Sequence, residues 1–231
     1  LAVGTEDGRL RLLDADTGET RFNLVVHRKS VTCVAISADG TLVASGSEDK
    51  SWSLWDASTF TEKLRAPGHD LQGANAVLSV AFSPDSTKLA CGEEAGSIRI
   101  WGLQVLSHFR DVFSLAYSPA GRRLASAGYD KAVSVWDPAT GMQVRRMATG
   151  HTDWVAAVGY SPEGGKLASG SFDFSVNIWD AVTGGLLLHL RGHDRRGGVL
   201  ALAFSHDGTS LFSGSMDRTV REWNATSGAL L

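Results

Sequence analysis

A twelve-residue pattern recurs along the chain, and this repetition constrains the fold more than any other feature of the sequence. Its four clear copies are SGSEDKSWSLWD from Ser45, SAGYDKAVSVWD from Ser126, SGSFDFSVNIWD from Ser169 and SGSMDRTVREWN from Ser213. Two decayed copies, VGTEDGRLRLLD from Val3 and CGEEAGSIRIWG from Cys91, complete a series with a mean spacing of 42 residues. A period of this size is typical of proteins that stack one supersecondary unit beside the next.

Five histidines follow the same period as this pattern. They are His27, His69, His108, His151 and His193, spaced 39 to 43 residues apart. Two markers with one period indicate a true internal repeat. They divide the chain into units with predicted bounds of 1–26 (partial), about 27–68, 69–107, 108–150 and 151–192, and 193–231 (incomplete).

Each unit is predicted to contain four short antiparallel strands. In the unit that begins near Gly150, the apolar or alternating runs are WVAAVGYS, KLASGS, SVNIWD and LLLHL. Gly, Pro, Asp and Ser separate these runs, as expected for a meander, and no stretch indicates a helix of useful length. One such sheet cannot bury both of its faces alone. The units are therefore expected to pack side by side around an axis.

The order of Gly-His, a strand ending in AFSPD, then LASGS, Asp, SVNIW and Asp resembles the WD-repeat (WD40) β-propeller family. The resemblance covers essentially the whole chain, and it implies an all-β propeller with six recognisable blades, four clear and two degenerate. The first and last blades are expected to be incomplete parts of a seven-bladed or six-bladed ring. The chain starts at Leu1 without a methionine, so a longer parent chain or a partner is expected to supply the rest.

Serine, histidine, aspartate and tryptophan recur in register in four units. By composition, Ser, His and Asp could form a hydrolase triad, but an enzyme has no use for four identical triads. The family resemblance implies instead a buried hydrogen-bonded chain within each blade, which gives every buried polar group a partner. The four predicted structural sets are His27, Ser45, Asp49 and Trp55; His108, Ser126, Asp130 and Trp136; His151, Ser169, Asp173 and Trp179; and His193, Ser213, Asp217 and Trp223.

Two units depart from this set. The first has Val3 and Leu13 in place of Ser and Trp, although Asp7 remains. The third has Cys91 and Ala95 in place of Ser and Asp. We interpret both as drift, with Cys91 as a small apolar core residue. The alternative is a nucleophilic Cys91 activated by the retained histidine of that unit, His69.

The third unit is also short between its tryptophan and the next histidine. Only 7 residues separate Trp101 from His108, against 14 or 15 in other units. Either most of the outer strand is lost from Gly102 to Ser107, or residues are missing from this sequence. An exposed blade edge would invite pairing with another chain.

Two kinds of position are predicted to form a partner-binding surface: the residue before each turn aspartate, and the residue before the first apolar position of the inner strand, which is where Trp154 stands. Gly-His loops and Asp turns lie at the same end of each blade, and the family resemblance implies that this face binds partners. The predicted residues are Glu6, Glu48 and Glu94 in the first three units, and Tyr129, Trp154, Phe172 and Met216 in the others. Clustered exposed aromatics indicate binding; scattered surface residues are the alternative.

The predicted function is a non-catalytic scaffold that binds partner proteins or peptides on this face, although fold alone does not determine function. The alternatives are an architectural subunit of a large multiprotein or ribonucleoprotein assembly, or the propeller portion of a larger multidomain regulatory protein. No carboxylate pair, metal cluster or phosphate loop stands outside the repeat register. We therefore expect no catalytic residue, no metal, no cofactor and no small-molecule substrate.

Charge, hydropathy and cysteine content restrict the partners and the cellular compartment that the sequence predicts. A net charge of −3 gives no reason to expect nucleic acid as the main partner, and the arginine pairs at 122–123, 145–146 and 195–196 form no stripe. No apolar run is long enough for membrane insertion, and no signal peptide opens the chain. Cys33 and Cys91 lack metal-ligand spacing, which favours an intracellular, cytoplasmic location, with the nucleus left open.

Glu222 stands where the other units carry a core residue. The equivalent residues are Leu54, Ile100, Val135 and Ile178. A carboxylate is costly there unless it is paired or wet. We expect Glu222 to be solvated or paired with an arginine.

Overall fold

The computed structural model describes residues 1–67, 75–100, 104–107, 111–148, 150–194 and 197–231, without the side chains at 67, 95 and 104–107. The chain divides into two compact units, Leu1–Ser107 and His108–Leu231, each described by itself below. Both consist of antiparallel sheets in which the strands follow chain order. The all-β class predicted from the repeats is confirmed.

The first compact unit contains three sheets and one short 3-10 turn, Glu94–Gly96. Its strands are β1 Ala2–Gly4, β2 Arg9–Leu13 and β3 Thr20–Val25; β4 Val31–Ile36, β5 Leu42–Ser47, β6 Ser51–Asp56 and β7 Glu62–Pro67; and β8 Val77–Phe82, β9 Leu89–Glu93, β10 Ser97–Ile100 and β11 Gln104–Ser107. Strand β4 lies beside β1 and β8, so the first strands of these three sheets are neighbours.

The second compact unit contains three sheets of the same kind. Its strands are β12 Val112–Tyr117, β13 Leu124–Gly128, β14 Val133–Trp136 and β15 Gln143–Met147; β16 Val155–Tyr160, β17 Lys166–Ser171, β18 Ser175–Asp180 and β19 Leu186–Arg191; and β20 Val199–Phe204, β21 Ser210–Ser215 and β22 Val220–Asn224. Strand β16 lies between β12 and β20. Among the described residues, no helix is long and apolar enough to cross a membrane.

Local side-chain hydrogen bonds explain where the chain turns between the first and second strands of a sheet. Ser37 Oγ donates to Asp39 Oδ1 at 2.6 Å and accepts the N–H of Leu42 at 2.9 Å. The same arrangement recurs at Ser83 and Asp85 and at Ser205 and Asp207. Serine and aspartate hydrogen-bond the nearby backbone and so favour turns. The S-x-D motif therefore ends one strand and starts the next.

The cores lie between neighbouring sheets, and tryptophans fill them. Trp179 packs with Val133 and Val155, which belong to the preceding sheet and to its own sheet. Trp223 likewise packs with Ile178 of the preceding sheet and Leu211 of its own. Each sheet thus buries a face against its neighbour, as the single-sheet argument required.

The outer strand of the third sheet is present, so the first of the two alternatives, the loss of most of this strand, is wrong. Strand β11 pairs with β10 across four positions, from Ser97 with Ser107 to Ile100 with Gln104. It is two residues shorter than β7 or β19. Residues 101–103 lie outside the described residues. The shortening therefore removes little of the ladder itself.

The first and last sheets have three strands each. An isolated bridge between Trp223 and Leu230 follows β22. Glu222 of β22 is half-buried, and its Oε1 accepts a hydrogen bond from Ser210 Oγ at 2.8 Å. Of the two expected outcomes, pairing with an arginine does not occur among the described residues, and the half-buried carboxylate is partly open to solvent and bonded to a serine.

Candidate functional site

Three histidines each join a buried serine to a turn aspartate. His27 Nδ1 lies 3.2 Å from Asp49 Oδ2, and its Nε2 lies 2.8 Å from Ser45 Oγ. Trp55 Nε1 donates to the same Ser45 Oγ at 3.1 Å. The loop before β4 brings the histidine to the turn that follows β5, so the network ties together parts of the chain that are 22 residues apart.

The same geometry recurs in the two later units. His151 lies 3.0 Å from Asp173 and 2.8 Å from Ser169, and Trp179 Nε1 donates to that serine at 2.8 Å. The last unit has His193 at 2.8 Å from Asp217 and 2.7 Å from Ser213, with Trp223 Nε1 at 2.8 Å from the serine. These three networks join the residues that the sequence placed in register.

The pKa shifts of Asp173 and His27 indicate how the hydrogen bonds of these networks are directed. Burial raises the pKa of Asp173, but hydrogen bonds from His151 and Ser175 outweigh it and bring the pKa below its ordinary value. Burial lowers the pKa of His27, against the attraction of Asp49. A neutral histidine can donate a hydrogen bond from Nδ1 to the ionised aspartate and accept one at Nε2 from the serine hydroxyl. The serine oxygen then accepts the indole N–H, and every polar group is satisfied.

This arrangement has the order of a hydrolase triad but lacks access. Ser45, Ser169 and Ser213 are 0% exposed. A nucleophile must reach a substrate atom, and here the indole N–H already occupies the serine oxygen. As folded, the networks can stabilise the blades but cannot present a serine to a substrate.

The fourth predicted set is described only in part. Trp136 Nε1 donates to Ser126 Oγ at 2.8 Å. Arg146 Nη2 donates to Asp130 Oδ2 at 2.9 Å. The predicted histidine, His108, lies outside the described residues. Within them, an arginine of β15 contacts the turn aspartate.

The two degenerate units have different polar contacts. Asp7 accepts hydrogen bonds from Thr5 Oγ1 at 2.5 Å and from Arg9 Nε at 2.9 Å. In the third unit, Cys91 is 3% exposed, and burial raises the pKa of its thiol well above the ordinary value. A thiol held in this state is a poor nucleophile. His69 and Trp101, and the side chain of Ala95, lie outside the described residues.

Glu93 is a buried carboxylate that the repeat analysis missed. It is 0% exposed, and Ser97 Oγ donates to its Oε2 at 3.0 Å. The matching hydroxyl of another unit, Ser51 Oγ, donates to Asp49 Oδ1 at 2.6 Å. Glu93 thus supplies an acceptor in a unit that has alanine in place of the turn aspartate. The sequence does carry a sign of this residue, because Glu93 stands where other units have the last serine of SGS.

Four aromatic residues of the second compact unit form a chain of ring contacts, named here the Trp154 cluster. The Trp154 ring centroid lies 4.2 Å from Tyr129, 5.5 Å from Phe172 and 6.2 Å from Phe113. All four are half-buried. The Phe172 N–H donates to the Trp154 carbonyl at 2.8 Å, which fixes the turn against the loop before β16. The structure thus brings together three of the predicted partner-binding residues.

Phe113 belongs to this cluster but was not predicted. It is the second residue of β12, where the other first strands carry Thr32, Leu78, Ala156 and Leu200. The sequence could have identified Phe113, because it is the aromatic residue in a series of non-aromatic ones. Met216, the remaining predicted apolar residue, is 53% exposed. A Cβ on Gly197 would meet Met216, and one on Gly198 would meet Phe172, so these glycines lie between the two side chains.

The predicted glutamates occupy matching positions in the first compact unit. Glu6, Glu48 and Glu94 are all exposed. The Glu48 N–H donates to the carbonyl of Ser30, as Phe172 does to Trp154.

The arginine pairs show no common surface among the described residues. Arg123 lies 3.5 Å from Asp137, and Arg146 is paired with Asp130. Arg195 and Arg196 lie outside the described part of the chain. Within that part, no group of three or more His, Cys, Asp or Glu side chains could hold a metal ion.

Comparison with known families gives one match that repeats along the chain. The family model described as "WD domain, G-beta repeat" matches residues 18–56, 62–102, 103–137, 142–180 and 184–224. These matches cover more than half of the chain and include all three complete hydrogen-bonded networks.

Several curated proteins are similar to parts of the chain. Apoptotic protease-activating factor 1 of Homo sapiens is 32% identical over 163 residues, which is 64% of this chain and 12% of that protein. The ribosome biogenesis protein WDR12 homolog of Drosophila virilis is 31% identical over 57% of this chain and 36% of its own length. Nuclear distribution protein nudF 1 of Talaromyces marneffei is 32% identical over 60% and 31%. The chain thus spans at most 36% of these relatives.

Proposed function

This chain belongs to the WD40 family of WD-domain, G-beta repeats, and from that premise we propose that it is a non-catalytic protein-interaction scaffold. Its binding surface includes the Trp154 cluster. The observation that carries the proposal is the contact of four half-buried aromatic rings at the end of the sheets where the histidine loops and aspartate turns meet. Clusters of aromatic side chains that stay partly open to solvent mark protein contacts.

The fold does not require aromatic residues at these positions. At the backbone position of Trp154, other units carry Ser30, Ala76, Asp111 and Gly198. At the position of Tyr129 and Phe172, the first three units carry glutamate. The same backbone hydrogen bond forms with either kind of residue. Stability of the sheets therefore gives no reason for the rings, whereas partner binding does.

Trp154 is the expected centre of the binding energy. It contacts the other three rings, which hold it in place and so limit the entropy lost on binding. Buried aromatic anchors dominate interface energies, and the loss of one typically costs about 2 kcal/mol or more. That cost corresponds to about a thirtyfold weaker complex.

The exposed glutamates have a different proposed role. Glu6, Glu48 and Glu94 would attract a basic stretch of the same or another partner. Rim charges mainly change association rates and their salt dependence. Their replacement by glutamine should slow association and flatten its salt dependence without removing binding.

Affinity capture with variants tests this proposal. Trp154→Ser and Phe172→Glu each install a residue that another unit carries at that position, so the sheets should stay folded. Both should lose the partners that the wild-type chain retains. Val182→Ala, at a 74% exposed apolar residue elsewhere in the same unit, is the matched control and should keep them. Retention of every partner by the two cluster variants would contradict the proposal.

A second candidate is an architectural role within a larger assembly inside the cell. It is favoured by the names of two relatives, a ribosome biogenesis protein and a nuclear distribution protein. In that case, captured partners would stay bound in fixed proportion through high salt and gel filtration, and several surfaces would contribute. A scaffold with one aromatic surface would instead release its partner on the single change Trp154→Ser.

A further inference from the structure

Two adjoining depressions form a groove beside the Trp154 cluster, named here the Arg191 groove. Phe172 and Phe174 line the first, of about 420 Å³, and Leu186 lines the second, of about 380 Å³. Both depressions are lined by Thr152, Asp173 and Arg191. Arg191 therefore stands where an aromatic end and an aliphatic end of the groove meet.

A hydrogen-bonded chain holds the Arg191 side chain in place. Asn177, which is 0% exposed, donates from Nδ2 to the Gly150 carbonyl at 2.8 Å. Its Oδ1 must then accept from His189 Nδ1, 2.6 Å away. This leaves His189 Nε2 to accept from Arg191 Nε at 2.8 Å. Burial and Arg191 lower the pKa of His189, which keeps Nε2 free of a proton.

Other units use an outer-strand arginine within their own fold. Arg65 donates to the carbonyl of Val26, and Arg146 donates to Asp130. In the unit of Arg191, Asn177 already binds the equivalent carbonyl, that of Gly150. Arg191 makes no ion pair among the described residues. Its guanidinium therefore keeps donors available to a ligand.

Arg191 is also unusual at its own position. It pairs across the sheet with Ser175, as Pro67 does with Ser51 and Ser107 with Ser97. An arginine is therefore not a requirement of the ladder.

Phe174 is a second residue that the fold does not require. Its φ is +70°, in the left-handed region that disfavours bulky side chains. The equivalent turn positions carry Lys50, Lys131, Arg218, Gly8 and Gly96. Strained residues are retained where surrounding structure or function demands them. Here the phenyl ring lines the groove.

We propose that the Arg191 groove binds an extended segment of a partner protein, with an apolar side chain beside Phe172 and Phe174 and a carboxylate against Arg191. The inference rests on the proposed function, because Phe172 belongs to both the groove and the Trp154 cluster. A planar guanidinium matches a carboxylate with two parallel hydrogen bonds. Leu186, 47% exposed at the far end, contacts the residue that follows the acid.

The carboxylates of the groove define where the partner's acid can lie. Asp173 Oδ1 accepts from the Ser175 N–H and hydroxyl, and its Oδ2 accepts from Thr152 N–H and contacts His151. Both of its oxygens are therefore occupied by donors of the protein, although the carboxylate stays ionised, and Arg191 supplies the positive charge that faces the partner's acid. Asp153 lines only the aromatic depression. It repels an anion at the aromatic end, and so the acid is confined to the Arg191 end.

Defined synthetic peptides test the inference. The probes are fluorescent 11-residue peptides with a central Phe anchor and a Glu placed in turn at each position up to four residues away, with Gln and Lys peptides as matched partners. Binding to the 231-residue chain is measured by fluorescence polarisation. At one or two spacings, Glu should bind about tenfold or more tighter than Gln, as expected for a hydrogen bond to a charged group. Lys should bind more weakly than Gln.

Variants separate this inference from the proposed function. Arg191→Gln should abolish the preference for Glu while the Gln peptides bind as before. Arg122→Gln, at another exposed arginine of the same compact unit, should keep the preference. Phe172→Glu should weaken every anchored peptide.

The remaining outcomes overturn one or both ideas. Equal binding of Glu and Gln peptides to the wild type, or a preference that survives Arg191→Gln, overturns the Arg191 groove alone. Failure of every anchored peptide to bind overturns the aromatic anchor and the groove together. A 12-nucleotide oligouridylate that binds through Arg191, without any preference for Glu in peptides, would show a nucleic-acid site instead.

Discussion

Trp179→Phe tests whether the buried networks stabilise the blades. Trp179 is 2% exposed, and its Nε1 donates to Ser169 Oγ at 2.8 Å. Phenylalanine keeps an aromatic ring in the core but removes this donor. An orphaned buried group costs about 1–3 kcal/mol. The outer ring of the indole also packs on Gly150, where an added Cβ would lie 2.2 Å from Cη2. The void left there should add about 1 kcal/mol.

Urea unfolding followed by far-ultraviolet circular dichroism measures this loss. We expect Trp179→Phe to lower the free energy of unfolding by about 2–4 kcal/mol. Trp154→Phe, which changes a half-buried indole outside the networks, should change it by about 0.5 kcal/mol or less. A double-mutant cycle with Ser169→Ala isolates the bond itself, with an expected coupling of about 1 kcal/mol. Equal stability of Trp179→Phe and wild type, or no coupling, would refute the reasoning.

Three further changes test the fold's electrostatics and turns. Acid should destabilise the protein in two steps. Below about pH 6.5 the unfolded chain gains a proton at His27, whose pKa is lower in the folded chain, and stability falls. Below about pH 4 the unfolded chain gains a proton at Asp49, whose pKa is also lower in the folded chain, and stability falls again. Melting temperatures from pH 8 to 3 that stay level would contradict this. Phe174→Gly should raise the free energy of unfolding by about 1 kcal/mol in urea, because glycine accepts a φ of +70°; a less stable variant would show that ring packing outweighs the strain. Gly170→Val should lower it by about 1–3 kcal/mol, because a Cβ there would lie 2.6 Å from Val199 Cγ1; no loss in the same assay would mean that the sheets can separate.

Part of the candidate site follows from the sequence because its chemistry is local and repeated. Ser169 and Trp179 stand ten residues apart, and the same offset separates Ser45 from Trp55. Paired neighbouring strands bring such residues together whatever the rest of the fold does, since register fixes which side chains share a face. The same holds for the S-x-D turns. The aromatic turn residue Phe172 could be predicted because it breaks a regular series.

Other features depend on how neighbouring sheets pack, which no single repeat encodes. The contact of Phe113 with Trp154 joins a residue of β12 to a residue of the loop just before β16, 41 positions away. The sequence shows Glu93 as a departure from the serine of other repeats, but only the folded structure shows that it is buried and that Ser97 donates a hydrogen bond to it.

The strand pattern, the all-β class and the family are thus properties of the sequence by itself, because period-2 alternation and turn chemistry act over a few residues. The Arg191 groove was decided only by tertiary structure. Sequence shows Asn177, His189 and Arg191 as three unremarked polar residues. The loop before β16, the turn at Asp173 and the outer strand β19 come together only in the folded sheet, and together they line the depressions. The hydrogen bond from Asn177 to Gly150 then determines how His189 and Arg191 are oriented.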